Sequence, residues 1–210
     1  MEAVAVLGTL AGLGLGSGLS LYATVFVVGW AVRLEWVPLT PMLSGLEVLG
    51  HPYVLVVAGV AFFFEFFADK IPFVDSVWDA IHLIVRPLGA AVLGSTLVGS
   101  DNGAFQVIAF LLCGGVAFTS HTVKASARVA ANHSPEPISN ILLSLAEDML
   151  GLLLVWLSLV HPFFVLGVVV IFLAAFVWLF PKIIRLIVRQ LRRIREFFGR
   201  GVSSRLSVDE

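Results

Sequence analysis

Residues 163–180 read FFVLGVVVIFLAAFVWLF, a run without a single charged side chain. A helix needs about 20 mostly apolar residues to cross the hydrocarbon core of a bilayer. The run is therefore long enough to predict a transmembrane helix, and the rest of the chain can be compared with it.

Five further apolar runs have a similar character. They are Val4–Val32, Tyr53–Phe67, Val77–Val98, Ala104–Phe118 and Ile141–Val160. The chain is 59% hydrophobic and 13% charged, whereas a soluble domain has about 25% charged residues. The sequence therefore predicts an all-α integral membrane protein with about six transmembrane helices, in which Leu39–Gly50 is a candidate seventh or re-entrant element.

The basic residues predict an orientation. Eight of the 13 Lys and Arg residues lie from Lys182 onward, and short segments rich in Lys and Arg stay in the cytoplasm. Six spans then place both termini in the cytoplasm, together with Lys70 and the pair Lys124 and Arg128. We expect a multi-pass protein of a bacterial inner (plasma) membrane.

The domain organisation follows from the same pattern. Residues 1–181 form a polytopic transmembrane domain with halves at about 1–100 and 101–181. Residues 182–199 combine an apolar stripe with arginines, which is typical of an amphipathic helix on anionic lipid headgroups. Residues 200–210 are expected to be a disordered tail.

The two halves share short motifs. His51-Pro52-Tyr53 matches His161-Pro162-Phe163, and the small, hydroxyl-rich stretch 16–24 resembles 119–126. Three spans in each half would make the halves opposite in orientation, as in transporters with inverted repeats. The alternative is chance similarity between apolar sequences.

The first span contains glycines spaced four residues apart. Gly8, Gly12 and Gly16 share one helix face, where small residues let another helix approach closely. This face is a candidate contact in a homo-oligomer. The alternative is a glycine-rich break that lines a binding site, with a matching interruption around residues 113–122 in the second half.

Several charged residues lie in or next to predicted membrane spans, where an unpaired charge has a high free energy. Asp75, Asp79, His82 and Arg86 form one polar stripe at helical spacing, and ionisable groups in a bilayer must be paired or hydrated. Lys124 and Arg128 are opposite in charge to the acids and are predicted to pair with them. The candidate substrate- or ion-binding residues are Glu65, Asp69, Lys70, Asp75, Asp79, His82, Arg86, His121, Lys124, Arg128, Glu147 and Asp148.

Three roles are open for these residues. They could relay protons, with His82 titrating near neutral pH, or pair with one another only to lock the helices together. Asp75, Asp79 and His82 are also weak candidates for a divalent metal site. Neither a cofactor nor nucleic-acid binding is predicted, because the sequence contains no nucleotide-binding or cysteine-cluster motif.

The sequence resembles a bacterial membrane-protein family known only as domain-of-unknown-function family 4126. The resemblance rests on the stretches 16–24, 67–79 and 121–137 and covers most of the chain up to about Lys182. It implies a polytopic membrane protein and assigns no activity.

The sequence favours a small transporter or channel-like protein that moves an ion or a small solute, including an anionic one, between two helical halves. One alternative is a membrane-embedded enzyme or lipid-handling protein for a phosphorylated lipid, in which Asp75 and Asp79 hold a metal. A structural or accessory subunit is the other. With 210 residues the chain has little room for a wide pathway, so we expect a homo-oligomer.

Overall fold

The computed structural model describes residues 1–37, 40–99, 103–131 and 137–182. The described residues form helices and no strands. The helices are α1 (Glu2–Leu19), α2 (Leu21–Arg33), a 3₁₀ segment (Pro41–Gly50), α3 (Pro52–Ala68), α4 (Pro72–Leu97), α5 (Gly103–Ala131), α6 (Pro137–Val160) and α7 (Pro162–Lys182). Five of these elements begin at proline, whose fixed φ and missing N–H suit the first helical position.

The prediction of an all-α membrane protein is confirmed. Five described helices are long and apolar enough to cross a bilayer, or six if the 3₁₀ segment and α3, which meet at 70°, count as one bent span. Large apolar side chains such as Val56, Phe64 and Ile84 are exposed on the helix surfaces, as lipid-facing residues are. The predicted re-entrant element corresponds to the 3₁₀ segment.

Compact packing divides the chain into two units, Met1–Val170 and Ile171–Glu210. In the second unit Phe176 stacks on Phe180, and the Lys182 ammonium lies over the Trp178 ring. The predicted interfacial helix and tail, together with residues 132–136, lie outside the described residues, so the predicted boundary at residue 181 stays a prediction.

The helices of the first unit run between two ends, which we call upper and lower. The upper end carries Arg33, Gly50 and Val98, and the lower end carries Asp69, Asp75 and Arg128. Arg33 donates to the Gly50 carbonyl at the upper end, and Arg128 contacts Asp75 at the lower end. The helices α4 and α6 therefore run upward, while α3 and α5 run downward.

Helix α1 runs downward as well. It starts beside the upper end of α6, where Thr9 donates to the Ser158 carbonyl. It follows α5 in parallel, because successive α1 carbonyls accept from successive α5 side chains. These pairs are Leu10–Cys113, Leu15–Ser120 and Leu19–Lys124.

Helix α2 turns back toward the upper end. The chain breaks at Ser20, whose extended backbone (φ −153°, ψ 106°) ends α1 and starts α2. Tyr22 then lies beside His82, whereas Arg33 reaches Gly50 at the upper end. The predicted single span Val4–Val32 is therefore wrong: the segment forms a hairpin with both ends at the upper end.

This hairpin corrects three further expectations. The N-terminal end of α1 lies opposite Lys70 and Lys124, not on their side as predicted. Residues 16–19 of α1 run parallel to residues 119–126 of α5, whereas residues 21–24 belong to α2 and run the opposite way, and α5 continues through residues 113–122 without the matching interruption. The glycine face of α1 packs inside the chain, against Pro162, Ser158 and Val155, so it is not a free contact for another copy.

Candidate functional site

The predicted charged residues come together around the tip of the α1–α2 hairpin. Nine of the twelve are buried, and Lys70, Glu147 and Asp148 are half-buried. They come from α3, α4, α5 and α6 and from the turn after α3. We refer to these twelve residues and Ser20 as the charged cluster.

Arg128 is the centre of the lower part of the cluster. Its guanidinium donates to an Asp75 oxygen at 2.5 Å and to the Asp69 backbone carbonyl at 2.7 Å. It also donates to Glu147 through two nitrogens, at 2.9 and 3.1 Å. The fork of donors in arginine suits this role, because one side chain ties α4, α5, α6 and the α3–α4 turn together.

Lys124, one helical turn earlier, connects this group to the hairpin. Its ammonium lies 2.7 Å from an Asp69 oxygen and donates to the Leu19 carbonyl at 2.9 Å. The pairing of Lys124 and Arg128 with carboxylates is the pairing that their opposite charges predicted. At the edge of the cluster, the Lys70 ammonium lies 3.4 Å from Asp148 and over the Phe66 ring.

Arg86 organises the upper part of the cluster. Its guanidinium lies 2.8 Å from a Glu65 oxygen and 3.5 Å from an Asp79 oxygen. It also donates to the Gly18 carbonyl at 3.4 Å and to the Nδ1 atom of His121 at 2.7 Å. Arg86 is fully buried, so these contacts take the place of hydrogen bonds that its guanidinium would otherwise make with water.

The two ends of the broken helix face charges of the appropriate sign. The carboxyl end of α1 carries the negative end of its dipole, and there the carbonyls of Gly18 and Leu19 accept from Arg86 and Lys124. At the amino end of α2, the Ser20 hydroxyl donates to Glu65 and accepts from the Ala23 N–H. The break is therefore stabilised by the charged cluster.

Ser20 and these backbone carbonyls were not among the predicted site residues. A glycine-rich break is one of the two interpretations that the sequence of the first span allows, and its serines and glycines are the signal for it. Nothing in residue spacing says which carbonyls a break exposes.

His82 departs from the prediction. Its Nδ1 contacts the Trp78 carbonyl at 2.8 Å, its Nε2 lies 3.4 Å from the Tyr22 hydroxyl, and its ring stacks on Trp78. The three carboxylates that could share a metal ion are instead Asp69, Asp75 and Asp79, whose oxygens lie within 4.8 Å of one another.

Each of these three aspartates has one buried oxygen without a hydrogen-bond partner: Asp69 Oδ1, Asp75 Oδ2 and Asp79 Oδ1. Buried polar atoms are rarely left unpaired. In its ion pairs the cluster uses six carboxylates and four basic side chains. With every group ionised, it would hold two uncompensated negative charges.

Asp69 and Asp75 precede the membrane-spanning part of α4 and differ in acidity. Burial raises the pKa of Asp69, but the charges of Lys124, Arg86 and Arg128 together hold it below its ordinary value. Burial raises the pKa of Asp75 to about 6, because the charge and hydrogen bond of Arg128 only partly offset burial and the nearby acids Asp79 and Asp69.

Two apolar surface grooves lie apart from the charged cluster. Two apolar grooves of about 750 and 540 Å³ open at the surface, and both are lined by Tyr22 and Val57. A space of about 10 Å³ adjoins Ser20, Gly16 and Asp148 at the hairpin tip, which is about enough for one water molecule.

Comparison with known proteins adds one match. The model of a family described as a domain of unknown function (DUF4126) matches residues 7–182. No curated protein and no solved structure matches the chain.

Proposed function

The chain belongs to the DUF4126 family, and from its geometry we propose that it is a small membrane transporter or channel-like protein that moves an ion through the charged cluster. The family description names no activity, so the proposal rests on the site alone.

The break of the α1–α2 hairpin inside the charged cluster is the observation that carries the proposal. Irregular backbone at membrane depth is tolerated where protein or a polar cavity satisfies it. Broken helices whose ends face charged groups are a recurring way to build ion sites in transporters. Here Gly18 and Leu19 present carbonyls, and Ser20 a hydroxyl, among buried ionised groups.

The geometry favours a cation over an anionic solute. Lys124 and Arg128, the groups that would hold an anion, already contact Asp69, Asp75 and Glu147. The acids outnumber the bases, so a bound cation would lower the electrostatic cost of the cluster. The same pairing weakens the case for an enzyme that grips a lipid phosphate with Lys124 and Arg128.

A structural role is the second candidate, and a specific observation favours it. All ten Asp, Glu, Lys and Arg residues of the cluster take part in an ion pair, and the two apolar grooves are not lined by cluster residues. In that case the charges would lock the helices together and nothing would pass.

The distribution of Lys and Arg supports the proposed orientation in the membrane, and only the side of the N-terminal end of α1 differs from the sequence prediction. The lower end, with Lys70, Lys124 and Arg128, would face the cytoplasm of a bacterial inner membrane, and the N-terminal end of α1 would then lie on the other side. The basic C-terminal segment would contact anionic headgroups. A homo-oligomer would use a surface other than the glycine face of α1.

Reconstituted vesicles test the proposal. The full chain in phosphatidylethanolamine–phosphatidylglycerol vesicles should dissipate an imposed gradient of H⁺, Na⁺ or K⁺, measured with entrapped indicators. Arg86→Gln should abolish the flux, whereas Arg33→Gln, which changes an exposed arginine at the upper end, should not. A folded wild-type chain that moves none of these ions would favour the structural role.

A further inference from the structure

We propose that Asp69, Asp75 and Asp79 form a proton-binding site and that the proton is the ion for which the charged cluster is built. This inference rests on the proposed function for the movement of the ion, but not for its binding. Nothing in the family description assigns such a site.

The geometry of the three aspartates is the first support. One oxygen from each lies within 4.8 Å of the others, and all three residues are at most 7% exposed. Neighbouring buried carboxylates repel each other when both are ionised, so one of them holds a proton more tightly.

The unpartnered oxygens are the second support. Lys124 satisfies Asp69 Oδ2, and Arg128 satisfies Asp75 Oδ1. The opposite oxygens, Asp69 Oδ1 and Asp75 Oδ2, have no hydrogen-bond partner, and Asp79 Oδ1 has only the 3.5 Å ion pair with Arg86. A proton on one of them replaces a buried, unpaired anionic oxygen with a neutral hydroxyl, which costs less free energy to bury.

The charge balance is the third support. With two more acids than bases in its ion pairs, the buried cluster carries an excess of negative charge, which the uptake of a proton reduces. The reaction is the addition of H⁺ to a carboxylate to give a carboxylic acid, and its reversal on the other side releases the same proton.

The surroundings of Asp75 favour a proton over a divalent metal ion. Arg128 of α5 contacts it directly and links it to Glu147 of α6, while Asp79 of its own helix and Asp69 after α3 supply negative charge. A magnesium or calcium ion needs about six or more oxygen ligands and would sit beside two fixed cations, Lys124 and Arg128. A proton needs a single oxygen.

Infrared difference spectroscopy tests the binding directly. When the purified full chain in lipid nanodiscs is taken from pH 8 to pH 5, a carboxylic-acid C=O band should appear, with half of its change near pH 6. Asp75→Asn should remove that band or most of it. Glu35→Gln, which changes an exposed carboxylate beyond α2, should leave it intact.

Asp79→Asn is a second variant for the case that Asp75→Asn does not fold. It should be tolerated, because the carboxylate of Asp79 makes only a 3.5 Å contact with Arg86. It should shift the midpoint of the band in a chain that still elutes as the wild type does. No new band, or a band that survives in the Asn variants of all three aspartates, would overturn the proposal. Stoichiometric binding of Mg²⁺, Ca²⁺ or Mn²⁺ at pH 7 that these variants abolish would overturn it in favour of a metal site.

Vesicle flux separates this inference from the proposed function. A band without proton flux in wild-type vesicles would support the proton site and contradict transport of protons. Flux of another cation without the band would support transport and contradict the proton site.

Discussion

Arg86 donates to the Nδ1 atom of His121 at 2.7 Å, and this contact fixes the state of the imidazole. An arginine can only donate, so Nδ1 must accept and cannot carry a proton. The other nitrogen, Nε2, lies 3.0 Å from the Asp79 carbonyl and therefore carries the ring proton. His121 is thus a neutral link between Arg86 and the backbone of α4.

The first prediction concerns this tautomer. Nitrogen NMR of His121 at pH 7 should show a protonated Nε2 and an unprotonated Nδ1, because the Arg86 guanidinium faces Nδ1. His82 serves as an internal control, since its Nδ1 faces the Trp78 carbonyl and should be the protonated nitrogen. An imidazolium at His121 would contradict the geometry.

The second prediction compares two lysines. Lys124→Met removes the shorter of the two ion pairs of the buried Asp69 and a donor to the Leu19 carbonyl, and it should lower the free energy of unfolding by about 3–5 kcal/mol. Lys70→Met breaks a partly exposed pair with Asp148 and should cost about 1 kcal/mol or less. Thermal unfolding in one detergent measures both, and equal losses would argue against a buried role for Lys124.

The third prediction concerns the contact between α1 and α5. A Cβ at Gly18 would lie 2.5 Å from the Ala117 carbonyl oxygen and 2.6 Å from the Ser120 Cβ. Gly18→Ala should therefore force the helices apart and destabilise the protein by about 1–3 kcal/mol.

Gly115→Ala is the matched control for this change. It adds the same methyl group on α5 with no atom within 4 Å, and it should stabilise the helix by up to about 1 kcal/mol. If Gly18→Ala behaved like Gly115→Ala, α1 would not pack against α5 at this level.

The fourth prediction is the pH dependence of stability through Asp75. Its pKa is raised from an ordinary value near 4 to about 6 in the folded chain, so between these values the folded state binds more protons than the unfolded state. The contribution of Asp75 to stability is therefore present at low pH and lost as pH rises from about 4 to 6.

Melting temperatures of the wild type and Asp75→Asn across this range measure the contribution. The wild type should lose stability relative to the variant as pH rises. Asp69, with its lowered pKa, acts in the opposite direction, and because it is present in both proteins the comparison measures the titration of Asp75 together with its coupling to Asp69. Parallel curves would show that Asp75 titrates normally.

The fifth prediction concerns the hairpin. Glu2→Cys and Glu35→Cys should react with a membrane-impermeant thiol reagent from the same side of sealed vesicles, because α1 and α2 enter and leave at the upper end. Ile71→Cys, at the lower end, should react from the other side. Native Cys113 is buried and should stay unlabelled. Labelling of positions 2 and 35 from opposite sides would show that residues 4–32 cross the membrane once, as one span.

Much of the architecture follows from local chemistry. Apolar length predicted α4 to α7, and the prolines at the starts of α3 and α4 mark where the chain leaves one helix and begins the next. The spacing of Asp75, Asp79 and Arg86 placed these side chains on one face, and their cost in a bilayer predicted that they would meet Lys124 and Arg128.

The direction of the chain at Ser20 could not be predicted in the same way. Residues 4–32 are apolar enough for one continuous span, and the pattern is equally compatible with two short helices. What decides is packing between distant segments: α1 fits against α5 and α6 through glycines, and Ser20 reaches Glu65. The contacts of His82 were equally hard to predict. Its helical spacing places it on the same face as Asp75 and Asp79, but its ring contacts Tyr22 and Trp78 instead.

Because the faces of α1 are covered by α5 and α6, the order of synthesis matters for this protein. The ribosome delivers α1 first, yet the residues that pack against Gly8, Gly12 and Gly18 are made about 100 residues or more later. The α1–α2 hairpin therefore has to persist in the membrane without its packing partners until α5 and α6 are inserted. A chain truncated before α5 should lack these partners and be degraded.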